Sequence, residues 1–168
     1  MTWKIMISST KKVILLVEDD SFVAEFSKET INHFGHEVIT ANSGEMAIEL
    51  ILNHEKIDLI LLDLDLGHGI DGPTTAWQIL KKKSIPIIFL SDNCKNEYAD
   101  NLKEILCYGV VLKASGEFVL RSSIENALNL FEKSKNLQKE IEFLKQKEGS
   151  SMKVPIKILH INPDFKVT

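Results

Sequence analysis

The chain has 168 residues, 44% of them hydrophobic and 26% charged, with a formal net charge of −4. That is the composition of an ordinary globular domain, and without a dense basic patch interleaved with aromatics it gives no electrostatic case for direct binding of DNA or RNA. No apolar run approaches the ~18 residues that cross a membrane, and Cys94 and Cys107 form no C-x-x-C pattern, so free thiols in a reducing cytoplasm are expected.

Residues 1–11 read as an untidy leader. Val13 to Val17 is a continuous apolar run, which suits a strand buried on both faces. SFVAEFSKETINHF then places Phe22, Phe26, Ile31 and Phe34 near helical spacing, with Ser21 as N-cap and Gly35 as the stop. Glu37 to Thr40 predicts a brief second strand. Ser43 caps a second helix, GEMAIELILNH, whose apolar face is Met46, Ile48, Leu50, Ile51 and Leu52. Ile57 to Asp63 is the third strand. The glycine-rich loop LGHGIDG leads to Pro73, near the first position of a helix through TTAWQILKKK. Ile85 to Ser91 is the fourth strand, Asn96 to Cys107 the fourth helix and Val110 to Lys113 the fifth strand. Ser115 is placed to cap a last helix running to about Lys147. Trp77 and the phenylalanines read as core, and none of the five histidines shows metal-ligand spacing.

Strand alternating with helix is the pattern of an α/β fold with a doubly wound five-stranded parallel sheet. Sites in such sheets gather at the carboxyl ends of the strands. Those ends carry Glu18, Asp19 and Asp20 after the first strand, Asp63 after the third, Ser91 after the fourth and Lys113 after the fifth. Two carboxylates about 4 Å apart repel by roughly 4 kcal/mol at an effective dielectric of 20, so the cluster implies a metal or a fixed ammonium. Asp20 reads as an acid at a helix N-terminus rather than a ligand.

The order VILLVEDD, LILLDLD, FLS and VVLK resembles the receiver domain of two-component response regulators, over about Lys11 to Phe131. The resemblance implies the flavodoxin-like (βα)5 receiver fold with Asp63 as phosphoacceptor. It implies Mg²⁺ held by Glu18, Asp19 and Asp63 with the main-chain carbonyl of Asp65, Ser91 contacting the phosphoryl group and Lys113 as the motif's lysine. A histidine kinase or phosphotransfer protein is the implied partner, and the chemistry is limited to self-phosphorylation and self-dephosphorylation rather than turnover by an enzyme. The chemistry fits the residue types: phosphoryl transfer needs positioning and neutralised charge, and an ionised carboxylate needs no general base.

The chain departs from the family pattern at four places. Val110 stands where an aromatic switch is usual, with Tyr108 two residues further back; Ala114 follows Lys113 in place of proline; LDLGHGIDG replaces the usual loop; Asp92 follows Ser91 where a small residue is usual. GHGIDG and LKASGE resemble receivers fused to sensor or histidine-kinase modules. The alternatives are a pseudo-receiver acting as an interaction module without phosphorylation, and a haloacid-dehalogenase-type phosphatase built on Asp63-Leu64-Asp65. Against the phosphatase, the metal acids of this chain lie upstream on the first strand, no acidic motif follows Lys113, and there is no room for a cap domain.

The domain expectation is a receiver over 12–131, a helical extension or linker over 132–148, and a tail over 149–168 that either begins a truncated further domain or folds back on the first. Leu130, Leu137, Ile141 and Leu144 on the extension suggest a homodimer seam or a solvated helix.

Overall fold

The computed structural model describes residues 11–53, 56–93, 102 and 105–147. Of the expected fourth helix, Asn96 to Cys107, residues 96–101 and 103–104 lie outside the described residues, and Ile105 to Cys107 are described but not helical; the leader up to residue 10, Cys94 and the tail from residue 148 also lie outside. Five strands form one parallel sheet: β1 Val13–Val17, β2 Glu37–Ala41, β3 Leu59–Asp63, β4 Ile87–Ser91 and β5 Gly109–Leu112. The spatial order β2-β1-β3-β4-β5 is the doubly wound arrangement the sequence pattern implies.

β1, β3 and β4 lie inside the sheet, and β3 and β4 are buried along their full length. Helices cover both faces, so these strands meet no water and need no alternation. Leu15, Val17, Ile60, Leu62 and Phe89 join one core layer with Ala47 and Ile51 of α2 (Gly44–Asn53) and Ala76 and Ile79 of α3 (Gly72–Leu80). Ile14, Leu16, Leu61, Ile88 and Leu90 point the other way, to Ile31 of α1 (Ser21–His33) and Ile124 and Ala127 of α4 (Glu117–Lys147).

Several local readings need correction. Asp20, not Ser21, caps α1: its Oδ1 accepts the N–H groups of Phe22 (2.8 Å) and Val23 (3.2 Å). The buried stripe of α1 runs through Val23, Ser27, Thr30, Ile31 and Phe34, and Phe22 and Phe26 fall about one residue's rotation away from it. They stand 87% and 69% exposed. Trp77 is also exposed, its ring covered by the Lys81 ammonium at 3.2 Å from the centroid. Ile57 and Ile85 are buried but precede their ladders. Lys113 falls just beyond β5, in a short 3₁₀ turn, Lys113–Ser115. Ser115 Oγ donates to the Leu112 carbonyl at 2.6 Å and does not cap α4, which starts after Gly116.

His36 enters β2 from below, buried, with its Nδ1 lacking a hydrogen-bond partner among the described residues. Burial lowers its pKa from the ordinary value of 6.5, with Glu125 and Asp58 pulling up and Arg121 and Lys12 pushing down. α4 is 31 residues long. Its first half packs on the sheet, and from Glu132 onward most side chains are exposed. No described helix is long and apolar enough to cross a membrane.

Candidate functional site: an acidic cluster on one lysine

The carboxyl ends of β1, β3, β4 and β5 bring the sequence-predicted residues to one rim. Glu18 follows β1 directly, and its N–H donates to the Ala41 carbonyl (3.0 Å), which continues the ladder by one residue and keeps the side chain buried. Asp63 is the last residue of β3 and is 2% exposed. The Lys113 ammonium lies 2.8 Å from Glu18 Oε2 and 2.8 Å from Asp63 Oδ2, so one cation ties β1, β3 and β5 together. Asp63 uses its other oxygen to accept the Asp65 N–H at 3.2 Å.

Asp19 is exposed, and its Oδ2 accepts the Gly67 N–H at 3.0 Å, which pins the β3–α3 loop over the site. A Cβ on Gly67 would stand 2.8 Å from that oxygen, so glycine is what lets the loop approach. At Gly72 a Cβ would run into the Asp63 carbonyl oxygen; α3 starts hard against the end of β3. Glu45 secures the same loop from α2, accepting the Ile70 N–H at 3.0 Å.

Ser91 reaches the rim but its hydroxyl does not point at Asp63. Oγ donates to the Asn93 carbonyl at 2.7 Å and accepts the Asn93 N–H at 3.3 Å, closing a small turn. Asp92, in that turn, places Oδ2 3.5 Å from the Lys113 ammonium. Sequence reasoning flagged Asp92 as unusual but did not foresee this ion pair, which depends on β4 and β5 being neighbours. Val110 is half exposed on β5, while Tyr108 sets its ring edge-on to Phe131 of α4, centroids 6.0 Å apart.

One oxygen each from Glu18, Asp19 and Asp63 lies within 4.8 Å of the others. Burial raises the Glu18 pKa and the Asp63 charge adds to it, against the Lys113 hydrogen bond that lowers it. Burial alone would lower the Lys113 pKa, but its hydrogen bonds to Asp63 and Glu18, and their charges, lift it well above the ordinary value. A buried carboxylate held against its own ionisation, beside a second carboxylate and a third at the rim, is a donor set suited to a hard divalent cation. Glu18 divides its two oxygens between the Lys113 ammonium, 2.8 Å from Oε2, and the Asp20 N–H, 3.4 Å from Oε1.

A family model for the response regulator receiver domain matches residues 14–125. The chain belongs to the response regulator receiver family. The receiver is similar to the N-terminal domain of a response regulator/sensory box/GGDEF three-domain protein from Carboxydothermus hydrogenoformans. That match has 36% identity and a TM-score of 0.70, covering 73% of this chain and 98% of that one. It is also similar to the response regulator TrrA of Thermotoga maritima, solved in complex with Mg²⁺-BeF: 28% identity, TM-score 0.63, covering 69% of this chain and 98% of that one. Among curated proteins it is 36% identical over 78 residues to transcriptional regulatory protein YrkP of Bacillus subtilis, which covers 46% of this chain and 32% of the relative. The chain thus spans about a third of that relative's length. The acidic pocket resembles the phosphoacceptor site of a receiver domain.

The expectation of no direct nucleic-acid partner needs correction. YrkP and further relatives carry names of transcriptional regulators, which points to DNA-directed output in the related proteins. The charge balance of this chain describes its own 168 residues, and the match to these relatives covers less than half of their length, so it says nothing of the remainder of the relatives.

Proposed function

We propose that this receiver takes a phosphoryl group onto Asp63 from a phosphohistidine donor of a two-component system, with Mg²⁺ as cofactor. The observation that carries the reading is the contact set of Asp63: a buried carboxylate 2.8 Å from a fixed ammonium, with Glu18 and Asp19 oxygens within 4.8 Å. Mg²⁺-BeF bound to the Thermotoga maritima relative supports it. Glu18, Asp19, Asp63 and the Asp65 carbonyl would hold the cation, which supplies charge neutralisation on the transferred group.

The protein's own residues do the rest. Asp63 is the nucleophile. One of its oxygens bonds to phosphorus as the P–N bond of the donor breaks, and the imidazole keeps the electron pair and takes a proton from solvent. Lys113, already aimed at Asp63, moves its donors onto the phosphoryl oxygens, where a positioned cation matters most. Ser91 gives up its Asn93 contacts to donate to the same group. The reaction is the domain's own single modification and its reversal, with no turnover of a separate substrate. The receiver unit spans residues 12–131 and the helical extension 132–148, and a cytoplasmic location belongs to the same reading.

Incubation with acetyl phosphate and Mg²⁺, read by intact mass, is expected to add one phosphoryl group. Chelation of the metal and Asp63→Asn should each abolish the label. Full labelling of Asp63→Asn, or none on the natural chain, overturns the assignment.

A further inference from the structure

We infer that Asp92 is an electrostatic restraint on phosphorylation at Asp63. Its carboxylate occupies the Lys113 ammonium before transfer and opposes the arriving phosphoryl anion, so the site reacts more slowly than its other residues would allow. The inference rests on the phosphoacceptor reading and adds to it a residue that sets the rate.

Three observations carry it. Lys113 meets three carboxylates, and they differ in depth: the Glu18 and Asp63 side chains are 2% and 3% exposed, the Asp92 side chain 62%. Asp92 is therefore the partner on the solvent side of the ammonium, where a donor must enter. Second, charge is balanced without it. A divalent cation on Glu18, Asp19 and Asp63, together with Lys113, brings that group to neutrality, and Asp92 is the carboxylate on Lys113 left over. Third, Asp92 sits inside the turn that keeps the Ser91 hydroxyl on Asn93. The same short segment thus adds a third carboxylate to the ammonium that already meets Asp63 and holds the Ser91 hydroxyl on Asn93.

The size of the effect follows from exposure. A solvent-exposed ion pair is weak, and at 3.5 Å beside buried partners Asp92 competes for Lys113 without capturing it. Its charge near the entrance acts on a dianionic donor through water, which is screened over about 10 Å at 0.1 M salt. Together these set a restraint of about fivefold in rate, not an on–off gate. A modest restraint of this kind makes the phosphorylated fraction depend on donor strength and ionic conditions.

The test compares the natural chain with Asp92→Asn and Asp92→Ala under Mg²⁺, measuring initial labelling rates by intact mass. With acetyl phosphate at low salt, both variants should label about three to ten times faster. The gap should close toward twofold or less at about 1 M salt, where screening shortens to about 3 Å. It should also be smaller with phosphoramidate, whose ammonium-like nitrogen leaves the donor less negative. Beryllofluoride should bind the variants more tightly by a similar factor, in a measurement that needs no phosphoryl transfer. Equal rates in the natural chain and Asp92→Asn, or a gain indifferent to salt and donor charge, overturn the inference while leaving Asp63 as acceptor. Absence of label on the natural chain overturns the phosphoacceptor reading and this inference together.

Discussion

At the carboxyl end of the sheet, Glu18, Asp63 and Asp92 converge on a single ammonium, with Asp19 beside them. At the opposite end Lys12, Lys56, Lys83, Lys135 and Lys139 line a groove with only Asp58 and Glu132 among them. Every described helix begins on the carboxyl side of the sheet, so helix N-termini favour acids there and helix C-termini favour cations below. The parallel architecture therefore sorts charge by itself, and the sorting alone does not mark a site. Burial does. Among the lower lysines Lys56, Lys135 and Lys139 are exposed, and the Lys12–Asp58 pair, at 3.7 Å with both side chains about one-third exposed, keeps contact with water and costs little. Of the upper acids Glu18 and Asp63 are buried and share one ammonium, which is costly unless something more that is positive arrives.

Removing the cation from the upper cluster should produce the largest effect. Lys113→Met leaves Glu18 and Asp63 buried without a partner and should lower unfolding free energy by about 3 kcal/mol at neutral pH, measured by urea titration. Added Mg²⁺ should return part of that loss. A lysine of the lower groove such as Lys56, replaced by alanine, should change stability by no more than about 0.5 kcal/mol. Equal losses at the two ends would break the comparison.

Two adjacent acids sharpen it. Asp20→Ala removes the α1 cap and should cost about 1 kcal/mol of stability while leaving the Mg²⁺-induced rise in melting temperature intact. Asp19→Ala should do the reverse, sparing the helix and weakening Mg²⁺ binding. Identical thermal shifts in the two variants would place both, or neither, at the metal.

The smallest effect concerns His36, the buried titratable group at the lower end. Its folded pKa is depressed below 6.5, so the folded state resists a proton that the unfolded chain accepts. The stability this neutral imidazole contributes is present above pH 6.5 and is lost as pH falls through the lowered folded value. Melting temperature recorded between pH 8 and pH 5 should fall on the acid side, and the slope should flatten in His36→Gln. Parallel curves would show that His36 does not couple folding to pH.

The succession of strands and the rim residues were legible because both follow from local pattern. Buried strands announce themselves as VILLV or LILLD, and polar residues ending such runs must lie at a sheet edge. What escaped depends on rotation or on non-local packing. Phe22 and Phe26 have helical spacing among themselves, yet the sheet selected the stripe through Val23, Ser27 and Ile31. Ser21 and Asp20 are both good caps, and only the backbone turn decides between them. The Ser91–Asn93 turn and the Asp92–Lys113 pair arise from rotamers and strand neighbours that a linear pattern does not carry.

The long α4 has a thermodynamic consequence of its own. Starting a helix in water is costly, whereas adding residues to an existing one is nearly neutral. The turns around Ile124, Ala127 and Leu128, clamped to the sheet, serve as a nucleus already formed, and the exposed stretch from Glu132 to Lys147 is grown from them. Its helicity is therefore borrowed. Any event at the upper rim that loosens Leu120 or Ile124 from β5 would withdraw the nucleus, and the projecting turns would melt with it, which couples local order at the far end of the molecule to how firmly one helix is seated.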